Sequence, residues 1–157
     1  MSTIEKSVQV EVPVSTAYDQ WTQFESFPQF MEGVESVKQL DDKHLHWKAE
    51  IGGVTREWDA EIVDQVPDER ITWRAVEGAT NRGTVSFTQD AMAKSTQVTL
   101  HLEYEPEGAV EKTGDLLKIV DMRAKGDLER FKDFIEHRGT ETGAWRGEVK
   151  PTGEVRR

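Results

Sequence analysis

Cysteine is absent from all 157 residues, which excludes disulfides, thiolate zinc sites, iron–sulfur clusters and a cysteine nucleophile together. Long apolar runs are also missing, since no stretch approaches the ~18 residues that a transmembrane helix needs. Positive charge is scarce. Lys and Arg total 20 against 30 Asp and Glu, for a net charge of −10. That balance repels phosphate backbones, and the densest basic cluster is only Arg156-Arg157, so nucleic acid is excluded as an expected partner. The opening Met1-Ser2-Thr3-Ile4-Glu5-Lys6 lacks the apolar stretch of a signal peptide. The expectation is a cytoplasmic protein without an integral membrane segment. No phosphate loop, dinucleotide fingerprint or nucleophile elbow occurs, because Gly52-Gly53 joins two strand-like segments rather than a strand and a helix. No cofactor is implied.

What is present is enough apolar material for one domain with a proper core, at 36% hydrophobic residues. Residues 4–12 alternate, with Ile4, Val8, Val10 and Val12 opposing Glu5, Ser7, Gln9 and Glu11, the pattern of a half-buried strand that Pro13 ends. Val14, Ala17, Tyr18 and Trp21 at i, i+3, i+4 and i+7 predict a short amphipathic helix capped by Ser15. The stretch from Phe24 to Met31, with Pro28 inside it, predicts a second short helix or compact turn. From Val34 to Tyr104 the period is two, broken by turn residues at 41–42, 52–53, 66–69, 78–80 and 91–94. This predicts strands over about 34–40, 43–51, 54–65, 70–77, 81–90 and 95–104. Leu116, Val120, Ala124, Leu128, Phe131 and Ile135 then form one apolar stripe on a long helix over about 110–138, with Gly126 marking a kink or a close contact. The fold class is α+β, with the long helix covering the sheet's apolar face. Residues 1–138 read as the domain and 139–157 as a polar tail.

Loop lengths then predict which residues face each other. A two-residue Gly52-Gly53 turn sets Ala49 opposite Arg56, Trp47 opposite Trp58 and Leu45 opposite Ala60. The next loops set Ile62 opposite Trp73 and Ala60 opposite Ala75. They also set Ala75 opposite Gly83, Trp73 opposite Val85, Gly83 opposite Leu102 and Asn81 opposite Tyr104. The inner face then carries a row that is small in its middle, Ala60, Ala75 and Gly83. Beside it runs an aromatic and polar row of Trp47, Trp58, Glu77, Asn81 and Tyr104. The small row implies either a cavity or close docking of the helix through Ala124 or Gly126.

Arg56, between Val54 and Trp58 on the apolar face, is suited to binding a carboxylate, phenolate or enolate, or equally to snorkelling or bridging Glu77. Tyr104 and Glu77 would supply a proton donor and a base, although Glu77 sits at a strand end where solvated glutamates are common. His44 and His46 share a face, a spacing that can hold metal. The same alignment opposes His44 to Glu61, His46 to Asp59 and Lys48 to Glu57, so a ladder of opposite charges accounts for the pair without one.

The run Val12-Pro13-Val14, Ala17-Tyr18, Trp21, Phe24, Phe27-Pro28 and Phe30-Met31, followed by the meander and the helix, resembles the polyketide cyclase/dehydrase branch of the START-like (SRPBCC) superfamily. The resemblance implies a helix-grip fold, with a seven-stranded antiparallel sheet wrapped round the C-terminal helix and two short helices after the first strand. It also implies a hydrophobic ligand held between sheet and helix, which favours the cavity reading of the small row. The expected ligand-binding residues are Trp47, Arg56, Trp58, Ala60, Trp73, Ala75, Glu77, Asn81, Gly83, Leu102 and Tyr104, faced by Leu117, Val120 and Ala124 of the helix. Three functions stay open at this point. One is a cyclase/dehydrase-like enzyme acting through Arg56, Tyr104 and Glu77, a second is a lipid or quinone carrier, and a third is an interaction protein with a vestigial pocket.

Overall fold

Strand β1 (Ser2–Val10) leads through Pro13 into helix α1 (Val14–Trp21), followed by a 3-10 helix over Phe24–Gln29. The computed structural model describes residues 2–51, 53–76, 80–90, 94–105 and 113–156, with side chains for all of these except residues 2, 51, 80, 81, 104, 105 and 113–117. Helix α1 is not capped by Ser15. Pro13, at φ −60°, precedes the first helical residue, and its carbonyl accepts the Ala17 N–H at 3.1 Å. The meander comprises β2 (Val34–Gln39), β3 (His44–Ile51), β4 (Val54–Val66), β5 (Arg70–Ala75), β6 (Thr80–Gln89) and β7 (Thr96–Glu105). The long helix α2 (Thr113–Arg138) follows, and then two short strands, β8 (Glu148–Val149) and β9 (Val155–Arg156).

The seven long strands order as β1-β7-β6-β5-β4-β3-β2. The first strand therefore joins the last of the meander, with Ile4 opposite Leu102 and Val8 opposite Val98. This is the helix-grip arrangement, and α2 supplies the apolar cover. Ala124, Leu128, Phe131 and Ile135 are all buried in one cluster with Tyr18, Trp21, Phe27 and the sheet's inner face. The Phe131 ring meets Trp21 edge-on, with centroids 5.0 Å apart, and Phe30 at 5.3 Å. Helix α2 runs unbroken through Gly126, whose close neighbour is the Arg130 guanidinium of the same helix rather than the sheet.

The pairings expected for β3–β4, including Trp47 with Trp58 and Ala49 with Arg56, are those observed. The β6–β7 pairs agree as well, and on β4–β5 Ala60 faces Ala75 and Ile62 faces Trp73, with a bulge between Ile62 and Asp64. The β5–β6 pairing requires correction. Trp73 lies opposite Gly83, and Ile71 opposite Val85, a shift of two residues from the sequence expectation. A two-residue slip keeps every side chain on its own face, so alternation alone cannot detect it. Its consequence is local: a Cβ at Gly83 would collide with the Trp73 indole and with Leu102. The gap expected over this glycine is filled by tryptophan, and neither a void nor the helix occupies it. Gly83→Val is expected to destabilise the protein by about 1–3 kcal/mol through overpacking. Urea unfolding measures that loss, and a change in native tryptophan fluorescence reports the displaced indole.

Residues 139–156 do not behave as a tail. Val149 is wholly buried, pairs with Gln65 of β4 and faces Val155 of β9. The Thr142 N–H donates to Gln20 Oε1 at 2.8 Å, Gln20 Nε2 donates to Thr142 Oγ1 at 3.1 Å, and the Trp145 N–H donates to Thr22 Oγ1 at 3.1 Å. Arg146 bridges Asp19 at 2.5 Å and Asp68 at 2.8 Å while stacking over the Tyr18 ring. Single apolar residues among polar ones carry no periodicity, so the sequence reads as a tail although Trp145, Val149 and Val155 all pack on the core.

The charge ladder forms on the outer face. His46 Nδ1 lies 2.7 Å from Asp59 and its Nε2 3.1 Å from Glu57, while His44 contacts Asp41 at 2.9 Å and Glu61 at 3.4 Å. Hydrogen bonds donated to Asp59 first and to Glu57 second raise the His46 pKa above its ordinary 6.5. A raised folded-state pKa makes this contribution complete below about 6.5, and it is lost as pH rises through the higher folded value. NMR titration should show His46 retaining its proton above 6.5, and the stability of His46→Gln should approach that of the parent as pH rises through that window.

Candidate functional site

Between the inner face and α2 lies a cavity of about 170 Å³. Strand alternation aims Leu45, Trp47 and Ala49 of β3 into it, together with Trp58 of β4, Trp73 of β5 and Leu100 and Leu102 of β7. The helical period brings Val120, Ala124 and Leu128 down from α2. Trp21, Phe24 and Phe27 close one side, and Met31, Glu32 and Val34 line the approach to β2. The Trp47 and Trp58 rings are parallel, 2° apart in plane with centroids at 5.9 Å, and Phe27 tilts onto Trp47 at 5.7 Å. The indole N–H groups of Trp21 and Trp47 are buried without an acceptor among the described residues.

One end of this apolar chamber is charged. Arg123 and Asp127 of α2 reach its wall beside Glu32. Arg123 donates to the backbone carbonyl of Glu50 and pairs with the Glu50 carboxylate at 3.0 Å. Gly33 makes this approach possible: its φ of +84° suits glycine, and a Cβ there would strike the Arg123 guanidinium. The Glu50 carboxyl is held below its ordinary pKa by Arg123 first and by the Gly53 N–H second. Asp127 accepts the Glu32 N–H at 3.0 Å and an Arg130 N–H at 2.5 Å, yet burial still pushes its pKa up. Arg130 also donates to the Phe30 carbonyl at 3.0 Å. Arg123, Asp127 and Arg130, at i, i+4 and i+7, thus form a polar seam that grips the chain between residues 30 and 33 and the end of β3.

Of the residues expected to meet a ligand, Trp47, Trp58, Trp73, Leu102, Val120 and Ala124 lie on the cavity wall. Ala60 is fully buried in the ladder but does not reach the wall, and neither Ala75 nor Gly83 is part of it. Arg56 faces Ala49 across the ladder and stays outside the wall. Glu77 lies outside the described residues, as do the side chains of Asn81, Tyr104 and Leu117. Among the described residues the polar end therefore sits at Arg123 and Glu32 rather than at Arg56, because the helix supplies it and strand register says nothing about where a helix crosses. A signal existed: Arg123, Asp127 and Arg130 alternate in sign at helical spacing beside the apolar stripe. Among the described residues no three His, Asp or Glu side chains converge as a metal site requires, and no helix is long and apolar enough to cross a membrane.

The family described as polyketide cyclase / dehydrase and lipid transport matches residues 10–133. An uncharacterized 17.2 kDa protein in the melC2-rnhH intergenic region of Streptomyces lincolnensis is 52% identical over 150 residues, covering 95% of this chain and 99% of that one. Among solved structures, a Deinococcus radiodurans protein aligns at TM-score 0.67 and 29% identity, over 88% of this chain and 99% of its own. The ZhuI aromatase/cyclase of a Streptomyces species aligns at TM-score 0.76 and 16% identity, over 92% and 99%; at that identity the likeness is one of fold.

Proposed function

This chain belongs to the polyketide cyclase/dehydrase and lipid transport family, and from that premise we propose that it binds a small hydrophobic molecule between its sheet and α2. The observation that carries the reading is the 170 Å³ chamber walled by Trp47, Trp58 and Trp73 and roofed by Val120 and Ala124. Apolar walls with a few polar groups at one end suit a small-molecule site. Binding, rather than turnover, is the function the geometry supports best. Among the described residues the wall holds no nucleophile beside a base, and its ionisable groups are engaged with partners off the wall, Arg123 with Glu50 and both Asp127 and Glu32 with Arg130. Cyclisation through Arg56 would need a guanidinium on the wall, and Arg56 is not there.

Native mass spectrometry of gently purified protein tests this, with Ala124→Leu as the comparison. Ala124 is buried on the wall, so the added carbons enter empty space, and each buried methylene adds about 0.8 kcal/mol. The variant should keep or raise the melting temperature and lose the co-purifying molecule. A parent protein that carries no ligand and shows no thermal shift with apolar aromatics or lipids would overturn the reading. The interaction-protein alternative would then take its place.

A further inference from the structure

Resting on that reading, we propose that the ligand is a single-ring aromatic bearing an oxyanion, with its ring along the Trp47–Trp58 wall and its oxyanion on Arg123 in place of the Glu50 carboxylate. Size limits the ring system. A chamber near 150 Å³ holds benzene, so about 170 Å³ suits one substituted ring better than a fused tricycle. The walls select a flat ring, because parallel indoles at 5.9 Å and the tilted Phe27 present aromatic surface that favours offset stacking.

Charge decides the substituent. Of the three ionisable groups on the wall, Asp127 and Glu32 are both served by Arg130, at 2.5 and 3.6 Å. The Glu32 side chain is 68% exposed at the rim. Arg123 is the most enclosed cation there, 21% exposed, and its partner Glu50 stands off the wall with 39% exposure. Arg123 can therefore exchange a half-solvated carboxylate for an enclosed one, with a planar fork that accepts an oxyanion in bidentate fashion. A cationic ligand would meet Arg123 head-on.

Calorimetric titration with benzoate, toluene and 2-anthroate, on the parent protein and on Arg123→Gln and Glu50→Gln, tests the assignment. Benzoate should bind at least about tenfold more tightly than toluene, as one charge-assisted hydrogen-bond pair implies, and 2-anthroate should bind more weakly than benzoate. Arg123→Gln should remove the benzoate advantage and leave toluene unchanged. Glu50→Gln withdraws the competing carboxylate and should tighten benzoate severalfold, whereas a purely structural ion pair would lose affinity for both ligands. If toluene matches benzoate, or Glu50→Gln fails to tighten benzoate, the oxyanion assignment is overturned and the cavity reading stands. If 2-anthroate binds as well as benzoate, the single-ring limit is overturned. If none of the three binds, the cavity reading falls with it.

Discussion

Deleting residues 140–157 is expected to lower the unfolding free energy by at least about 3 kcal/mol, a fall of roughly 6–12 °C in melting temperature for a chain of this size. The loss has two sources. Wholly buried Val149 leaves its seat beside Gln65, worth about 1.5–3 kcal/mol. The polar groups of α1 then lose their partners. Gln20, fully buried, is left without Thr142, and Asp19, itself buried with its pKa already raised by desolvation, is left without Arg146. Stranded buried polar groups cost more than the bonds they made. Since no cavity-wall residue lies beyond Leu128, ligand affinity measured below the melting transition should not change. Calorimetric melting of the truncated and full chains checks the first claim, and titration checks the second. A truncation that melts with the parent would mean the C-terminal segment is only draped over α1.

Phe131→Ala is expected to cost about 3–5 kcal/mol. The ring is wholly buried and touches Trp21 and Phe30 edge-on, so its removal deletes an aromatic contact that ties α2 to α1 and to the residue following the 3-10 helix. The resulting void lies beside Trp21, itself part of the cavity wall. Toluene should therefore recover more stability in Phe131→Ala than in the parent, because a ligand bound only to the folded state raises stability in proportion to its occupancy. Urea unfolding with and without toluene gives both quantities. Equal toluene effects in the two proteins would show that the new void collapses rather than joining the site.

Much of this architecture is legible in the chain because it rests on short-range chemistry. Alternation from Val34 to Tyr104, Pro13 after β1, the Gly52-Gly53 turn and the stripe from Val120 to Ile135 specify strands, a turn and a helix face without reference to distant residues. Together they place Trp47, Trp58 and Trp73 on one face and turn Ala124 toward it. The His46 ladder follows from the same turn, since a two-residue connection aligns Asp59 with it.

Other features depend on how whole elements meet. Period two specifies a face but not a two-residue slip, so only the folded sheet sets Trp73 against Gly83 and fills the gap there. Val149 and Arg146 look like isolated residues in a polar stretch until α1 and β4 lie beside them. The charged end of the cavity is the clearest case. Sequence alone determined a sheet with an aromatic inner face and a helix to cover it, because both are set by side-chain periodicity. Only the tertiary structure decided that Arg123, rather than Arg56, reaches the chamber. The line along which a helix crosses a sheet is set by the packing of large side chains such as Trp21, Phe30 and Phe131, and no local pattern encodes it.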